Sequence, residues 1–380
     1  LLSEVAFGVA RWRRRLDGWL SMQGHARPDN RLRALCFLLW KRRDFASAPD
    51  VECPPSMRGI EDSFADEMPR GFPGGAAAFN SFPDFLFDEM VKDCGAAGAA
   101  ELAASLNRAA APSLRSNALK ADRAQAIEAL GALGAHCSPA PLSPWGILLS
   151  GRKGIEASSA YRRGLFEIQD ESSQLAVAAA NPEPGEMVLD ACAGAGGKAL
   201  ATAALMENRG RIVAADTDER KLGELMRRAK RAGASIVEIS PAKKLDARGH
   251  RRGGFDLVIV DAPCSGTGTL RRSPDLKWRL SPRDIDERAR LQEELIGAYW
   301  DWVRPGGRLA YMTCSVLSRE NELVVKNFIR KRRAALADIR QAFSRYSIPP
   351  DSILSPDGFF KTDPRSGERD GFFAAVLMKG

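Results

Sequence analysis

The stretch Phe255-Asp256-Leu257-Val258-Ile259-Val260-Asp261-Ala262-Pro263-Cys264-Ser265-Gly266-Thr267-Gly268 decides the fold. Its apolar run, 255–260, is too short for a helix and ends abruptly in a carboxylate and a loop of Pro, Ser, Thr and Gly, which reads as a buried strand handing its carboxyl end to a loop. In open α/β sheets ligands collect beyond the carboxyl ends of the strands, so Asp261 and Cys264 stand where a substrate would meet them. A lone cysteine is more often a small buried hydrophobe than a reagent. The case for Cys264 therefore rests on what the rest of the chain places beside it.

Downstream of Met187 the pattern alternates. Strands are expected at 188–191, 211–215, 236–239, 255–260 and 308–312, with helices at 196–206, around Leu222, Leu225, Met226 and Ala229, and from Ser281-Pro282 onward. Ser318 is expected to cap a helix carrying Val324, Val325, Phe328 and Ile329, and 371–378 to close the sheet. Strand and helix in turn make a mostly parallel, doubly wound sheet with right-handed crossovers.

Upstream the rhythm differs. Leu2, Val5, Val9, Trp12, Leu16 and Trp19 recur at steps of three and four, the stripe of a packed helix, and 31–40 reads as a second helix. The segment 47–82 is rich in Pro, Gly and acids and reads as an irregular connection. Helix follows over 83–107, broken near Gly95 and Gly98, then strands at 114–120 and 145–149 around a helix opened by the capping box Asp122-Arg123-Ala124-Gln125. This is a small mixed α/β module. Its Arg115, Lys120, Arg123, Arg152, Lys153, Arg162 and Arg163 suit a phosphate-facing surface or simply a solvated face. Lys277-Trp278-Arg279 suits either a clamp on a single-stranded nucleotide or packing at the foot of a helix.

The chain of 380 residues is 44% hydrophobic, enough for full cores and against disorder, and its 56 Lys and Arg against 48 Asp and Glu give +8. That excess suits a polyanionic partner or mere solubility. Seven cysteines without a CxxC pair and three histidines exclude a disulfide scaffold and speak against a zinc site. No apolar run reaches the roughly 18 residues of a membrane span, so a soluble protein of the reducing cytoplasm is expected.

The turn Asp190-Ala191-Cys192-Ala193-Gly194-Ala195-Gly196-Gly197-Lys198 joins a strand to a helix, where glycines let backbone amides approach a nucleotide. Gly194, Gly196 and Ala199 satisfy the dinucleotide spacing, and Asp216 ends the next strand about 20 residues on, so a nicotinamide dehydrogenase is a rival reading. A phosphate-binding P-loop is not, because Ala199 follows Lys198. The discriminating residue is a second thiol, Cys314 in Thr313-Cys314-Ser315, which leaves a neighbouring strand at the same sheet edge as Cys264. Hydride transfer has no use for two thiols. Methylation of cytosine C5 does: a thiolate adding to C6 turns the ring into an enamine, and a base must later take the C5 proton. Asp261 is placed to share a proton with N3 as charge develops there.

These motifs together resemble the bacterial Fmu/Sun family of RNA cytosine-5 methyltransferases, especially its small-subunit ribosomal RNA methyltransferase B branch. The resemblance runs through Tyr161 to Leu175 with Gln169-Asp170, the glycine turn, Asp216, Asp246 in Leu245-Asp246-Ala247-Arg248, both thiol motifs and Asp370-Gly371-Phe372-Phe373. It implies a Rossmann-like class I methyltransferase fold at 161–380, behind a helical N-terminal region at 1–80, similar to a shortened NusB-like domain, and an RNA-binding module at 81–160. It implies S-adenosylmethionine along Cys192, Ala193, Gly194, Ala195, Gly196, Gly197 and Lys198, with Asp216 at the ribose, Asp246 near the adenine and Asp261 touching both cofactor and base. Cys314 would be the nucleophile and Cys264 would assist release. The partner would be RNA, in the first place 16S ribosomal RNA or the small subunit, with transfer RNA as an alternative and a non-catalytic ribosome-assembly factor as another. A monomer without metal or membrane is expected. The chain departs from the family pattern at Gly194-Ala195, where Ala-Pro is common, and at Ala199, where Thr or Ser is.

Overall fold

The structure is a computed structural model and describes residues 2–41, 55–58, 60, 64, 66–150, 154–246 and 254–380. By compactness it divides into two units, 1–109 with 269–282, and 110–268 with 283–380.

The first unit is helical. Helices Leu2–Met22 and Asn30–Trp40 bury Leu16, Trp19, Leu20, Cys36 and Phe37 against Phe72 and Phe79. Leu2, expected on the buried stripe, is 89% exposed in the first turn of the helix. Helix Asp84–Leu106 breaks at Gly95, whose φ of 72° only glycine adopts freely, and runs on through Gly98. The short helix Leu276–Arg279 belongs here too. Buried Lys277 donates to the Arg11 carbonyl and to Asn107 Oδ1, both at 2.8 Å, and Trp278 Nε1 donates to the Ala10 carbonyl. Lys277 is thus tied into this unit, whereas Trp278 is only partly buried.

The second unit holds two sheets. Strands β1 (Ser113–Ser116), β2 (Cys137–Pro139), β3 (Gly146–Leu149) and β4 (Phe166–Ile168) form an antiparallel sheet in the order β2-β3-β1-β4. The capping box is present: Gln125 N–H donates to Asp122, and Gln125 accepts from the Asp122 N–H. Arg115 proves buried and donates to Gln169 Oε1, Lys120 donates to the carbonyls of Arg163 and Arg231, and Arg123 to that of Ser143. These three cations are tied into the fold; Arg152 and Lys153 lie outside the described residues.

The larger sheet contains β5 (Met187–Asp190), β6 (Arg211–Asp216), β7 (Val237–Pro241), β8 (Phe255–Asp261), β9 (Val303–Thr313), β10 (Ala335–Leu336), β11 (Phe360–Thr362) and β12 (Phe372–Met378). Its order is β10-β12-β9-β8-β5-β6-β7, with β11 on β12; the run from β9 to β7 is parallel and β12 is antiparallel to β9. The chain winds outward from β5 through β6 to β7, then returns to lay β8 on the other side of β5. The reversal between β5 and β8 is the topological switch point where such sheets bind ligands. Helices cover both faces, and Val188, Leu257 and Ile259 pack into one core while Leu189, Val258 and Val260 pack into the other, the alternation of a sheet buried on both sides.

Another expectation fails. Ser318 does not cap the last long helix: Ser318–Glu320 is a separate 3-10 turn, and helix Glu322–Arg332 begins after Asn321. Both Glu320 and Asn321 are drawn away from the helix into the loops that carry the cysteines.

Candidate active site

Three strand ends build the site. β5 delivers Asp190 and the glycine turn, β8 delivers Asp261 and Cys264, and β9 delivers Cys314. Register places Asp190 beside Ile259 and Asp261 beside Met312, so the β8 carboxylate stands two residues further out than that of β5.

The two sulfurs are 3.4 Å apart, Cys264 Sγ to Cys314 Sγ. Their loops are joined through backbone: Gly268 N–H donates to the Cys314 carbonyl at 2.9 Å, and Gly371 N–H to that of Gly268 at 3.0 Å. A Cβ on Gly268 would stand 2.0 Å from the Gly371 carbonyl oxygen, so only glycine lets the loops meet here. The hydrogen bond with Cys314 first, then burial, pushes the Cys264 thiol well up. The two thiols share one hydrogen bond in which either sulfur can be the donor. Cys192 is different: burial and then Asp190 raise its thiol strongly, which leaves it an inert packing group.

Lys198, nearly buried, donates to Asp261 Oδ2 at 2.5 Å. Burial alone would lower its pKa, but Asp261, Cys314 and Asp190 outweigh it and the net shift is upward, so the ammonium is a fixed positive charge among two carboxylates and a thiol. A fixed cation in such a site stabilises negative charge on a sulfur beside it.

Asp190 is fully buried, neither of its oxygens has a well-formed hydrogen bond, and the Cys192 amide offers only the weakest relief. Burial, then Asp261, push its pKa up to about 7. Next to it the turn is held open: Gly194 N–H donates to Asp216 Oδ2 at 2.8 Å and Asp218 N–H to Asp216 Oδ1 at 2.8 Å. Gly196 sits at φ 89°, where an added Cβ would meet Leu225 at 2.5 Å, whereas nothing approaches the Cβ position of Gly194. A buried carboxylate lacking partners, an uncovered glycine turn at the start of helix Gly197–Leu205 and a carboxylate at the end of β6 fit a cationic adenosyl cofactor. Arg228 donates to the Ala195 carbonyl and pairs with buried Glu167, and Gln169 reaches the Gly197 carbonyl, which braces the turn from behind.

The structure thus brings together Cys264, Cys314, Asp261, Lys198 and the turn from Cys192 to Gly197. Asp216 stands at the turn, and Asp246 lies exposed, two residues past the 3-10 turn Ala242–Lys244 that follows β7. Residues after it, from Ala247 to Gly253, lie outside the described residues, as do Cys53 and His250. Cys36, Cys94 and Cys137 form no disulfide. Sequence reasoning missed Asp190 as a site residue, although its place at the end of a strand before a glycine turn was a usable signal. It also missed Glu320, Gln292 and Asn321, which no local pattern distinguishes. Among the described residues no group of acids, cysteines or histidines is arranged to hold a metal, and no helix is long and apolar enough to cross a membrane.

Residues 177–378 match the family model described as 16S rRNA methyltransferase RsmB/F, and residues 82–156 match its ferredoxin-like domain. A probable ribosomal RNA small subunit methyltransferase B of Synechocystis sp. is 32% identical over 79% of this chain and 67% of its own length. A ribosomal RNA small subunit methyltransferase B of Escherichia coli is 30% identical over 100% of this chain and 90% of its own length. Among solved structures, a methyltransferase homolog protein from Pyrococcus horikoshii superposes with a TM-score of 0.67 at 27% identity, over 80% of this chain and 98% of that one.

Proposed function

The chain belongs to the 16S rRNA methyltransferase RsmB/F family, and on that premise we propose that it methylates C5 of a cytosine in 16S ribosomal RNA through a covalent bond from Cys314 to C6. It is an S-adenosylmethionine-dependent RNA cytosine-5 methyltransferase. The observation that carries the mechanism is the pair of sulfurs 3.4 Å apart past the carboxyl ends of β8 and β9, with the Lys198–Asp261 ion pair at the same sheet edge.

The cofactor, when bound, supplies the methyl group; Cys192 to Lys198, Asp190 and Asp216 are the residues that would hold it, with Asp246 toward the adenine. Everything else falls to this chain's own side chains. The target base must leave its stack to reach a site at the bottom of a sheet edge, which favours a cytosine in a loop or single strand. Cys314, attacking as the thiolate beside the Lys198 ammonium, forms the S–C6 bond, and the displaced electron pair moves toward N3, where the Lys198–Asp261 pair shares a proton. Once the Cys314 sulfur is bonded to C6 it carries neither a proton nor a negative charge, which removes the repulsion that a Cys314 thiolate exerts on a charge at Cys264. Cys264 gives its proton to solvent water and, as the thiolate, takes the C5 proton; C5=C6 re-forms, the S–C6 bond breaks and Cys314 leaves as the thiolate. The module 81–160 is read as the RNA-binding part, between a helical N-terminal region at 1–80 and the catalytic domain at 161–380.

The test is transfer of labelled methyl from S-adenosylmethionine to 16S ribosomal RNA fragments, with the product read as 5-methylcytosine. Cys314→Ala should lose transfer while cofactor binding by calorimetry is kept; transfer at the wild-type rate in that variant overturns the reading.

A further inference from the structure

Glu320 touches neither sulfur, yet it is the residue on which both cysteine loops converge. It is fully buried, and a buried carboxylate persists only where hydrogen bonds replace its water. One oxygen accepts the Ser265 N–H at 2.7 Å and Gln292 Nε2 at 3.1 Å. The other accepts the hydroxyls of Ser265 and, at 2.6 Å, of Ser315. Ser265 directly follows Cys264 and Ser315 directly follows Cys314. Gln292 also donates to the Pro263 carbonyl at 2.9 Å, on the other side of Cys264. The turn bearing Glu320 is itself pinned, since Tyr311 Oη donates to the Glu320 carbonyl at 2.5 Å and Asn321 bonds Thr313 and Ser315.

We infer that Glu320 is a positioning residue of the two-thiol site, a single carboxylate that fixes the loop after β8 to the loop after β9 and so sets the spacing of Cys264 and Cys314. No neutral side chain could take its place at equal cost, because three or more donors converge on the two oxygens and an amide offers only one acceptor atom. Its charge adds a second effect: Glu320 is among the groups that raise the Cys264 thiol, so the same residue that sets the spacing helps to keep the proton on Cys264. This role rests on the reading of Cys314 as the nucleophile and Cys264 as its proton-carrying partner.

The test uses Glu320→Gln and Glu320→Asp in the full chain, with two readouts. Methyl transfer to RNA should fall on the order of 100-fold in kcat in both variants, the cost of misplacing a reacting group by about 1 Å, while S-adenosylmethionine affinity is unchanged. Independently of turnover, peptide-resolved iodoacetamide labelling across pH should give a lower midpoint for Cys264 in Glu320→Gln, whereas Glu320→Asp, which keeps the charge, should move it less. Cys192 and Cys137 serve as controls in the same unit. A wild-type kcat with an unmoved Cys264 midpoint overturns the inference, and so does a general rise in labelling of Cys192 and Cys137 together with lost cofactor binding, which would make Glu320 merely structural. Because labelling does not require methyl transfer, a failure of the nucleophile assignment would leave this readout intact and so be told apart.

Discussion

Replacing Asp190 with Asn should make the cofactor-free protein more stable at neutral and alkaline pH, by an amount the structure fixes. The carboxyl is fully buried and titrates at about 7, against 3.8 in an unfolded chain. A carboxyl raised in the folded state contributes stability that is complete below the unfolded value and is lost as pH rises through the folded one. Between the two values the folded protein therefore holds a proton that the unfolded chain has released, and stability falls by about 1.4 kcal/mol per pH unit. The whole span, about three units, amounts to about 4 kcal/mol. Asn has nearly the same shape and lacks partners in the same way, so the cost of burying an unsatisfied polar group cancels when the two proteins are compared at one pH. Urea unfolding of both proteins at several pH values, from mildly acidic to mildly alkaline, is the assay. Their difference should grow along that slope and level off above about pH 7, since the amide of the Asp190→Asn variant takes no part in the titration. Two parallel curves would refute the burial argument. Addition of S-adenosylmethionine should erase the difference in wild type, because a sulfonium cation favours the ionised carboxylate.

Two further substitutions separate the cofactor turn from the thiol site. Gly196→Ala forces a side chain into positive φ and against Leu225, a strain of about 1 to 3 kcal/mol, so S-adenosylmethionine affinity measured by calorimetry should fall about tenfold or more while Cys264 labelling keeps its wild-type pH midpoint. Lys198→Met strands Asp261 next to Asp190 and should cost about 3 kcal/mol of stability in the same urea series. That loss should deepen as pH rises above about 7, because the Lys198 ammonium is among the groups that hold the Asp190 carboxyl down, and without it the variant goes on losing stability with pH after the wild type has levelled off.

The sheet was legible from sequence because its strands are short apolar runs buried on both faces, each ending in a polar loop; β8 and its Asp261 to Gly268 loop needed nothing more. The pairing of Cys264 with Cys314 was legible for the same reason, since two thiols at the ends of neighbouring parallel strands must share an edge. What stayed hidden depends on where polar side chains turn. Ser318 has the composition of a helix cap, but the burial of Glu320 beneath both cysteine loops outweighs local capping and moves the helix start to Glu322. Arg115 looks like a surface cation in sequence and is instead buried on Gln169, a contact made only in three dimensions. Asp190 stood in view at the end of β5, yet its lack of partners is a property of the packing around it and not of its neighbours in the chain.

The most direct test of the account is the identity of the cysteine that bonds to RNA. Cys264→Ala, incubated with S-adenosylmethionine and substrate RNA, should accumulate a protein–RNA adduct that survives a denaturing gel, because the partner that releases the product is gone. Digestion and mass spectrometry of that adduct should find the nucleotide on the peptide containing Cys314. An absence of any adduct, or attachment at another residue, would contradict the assignment.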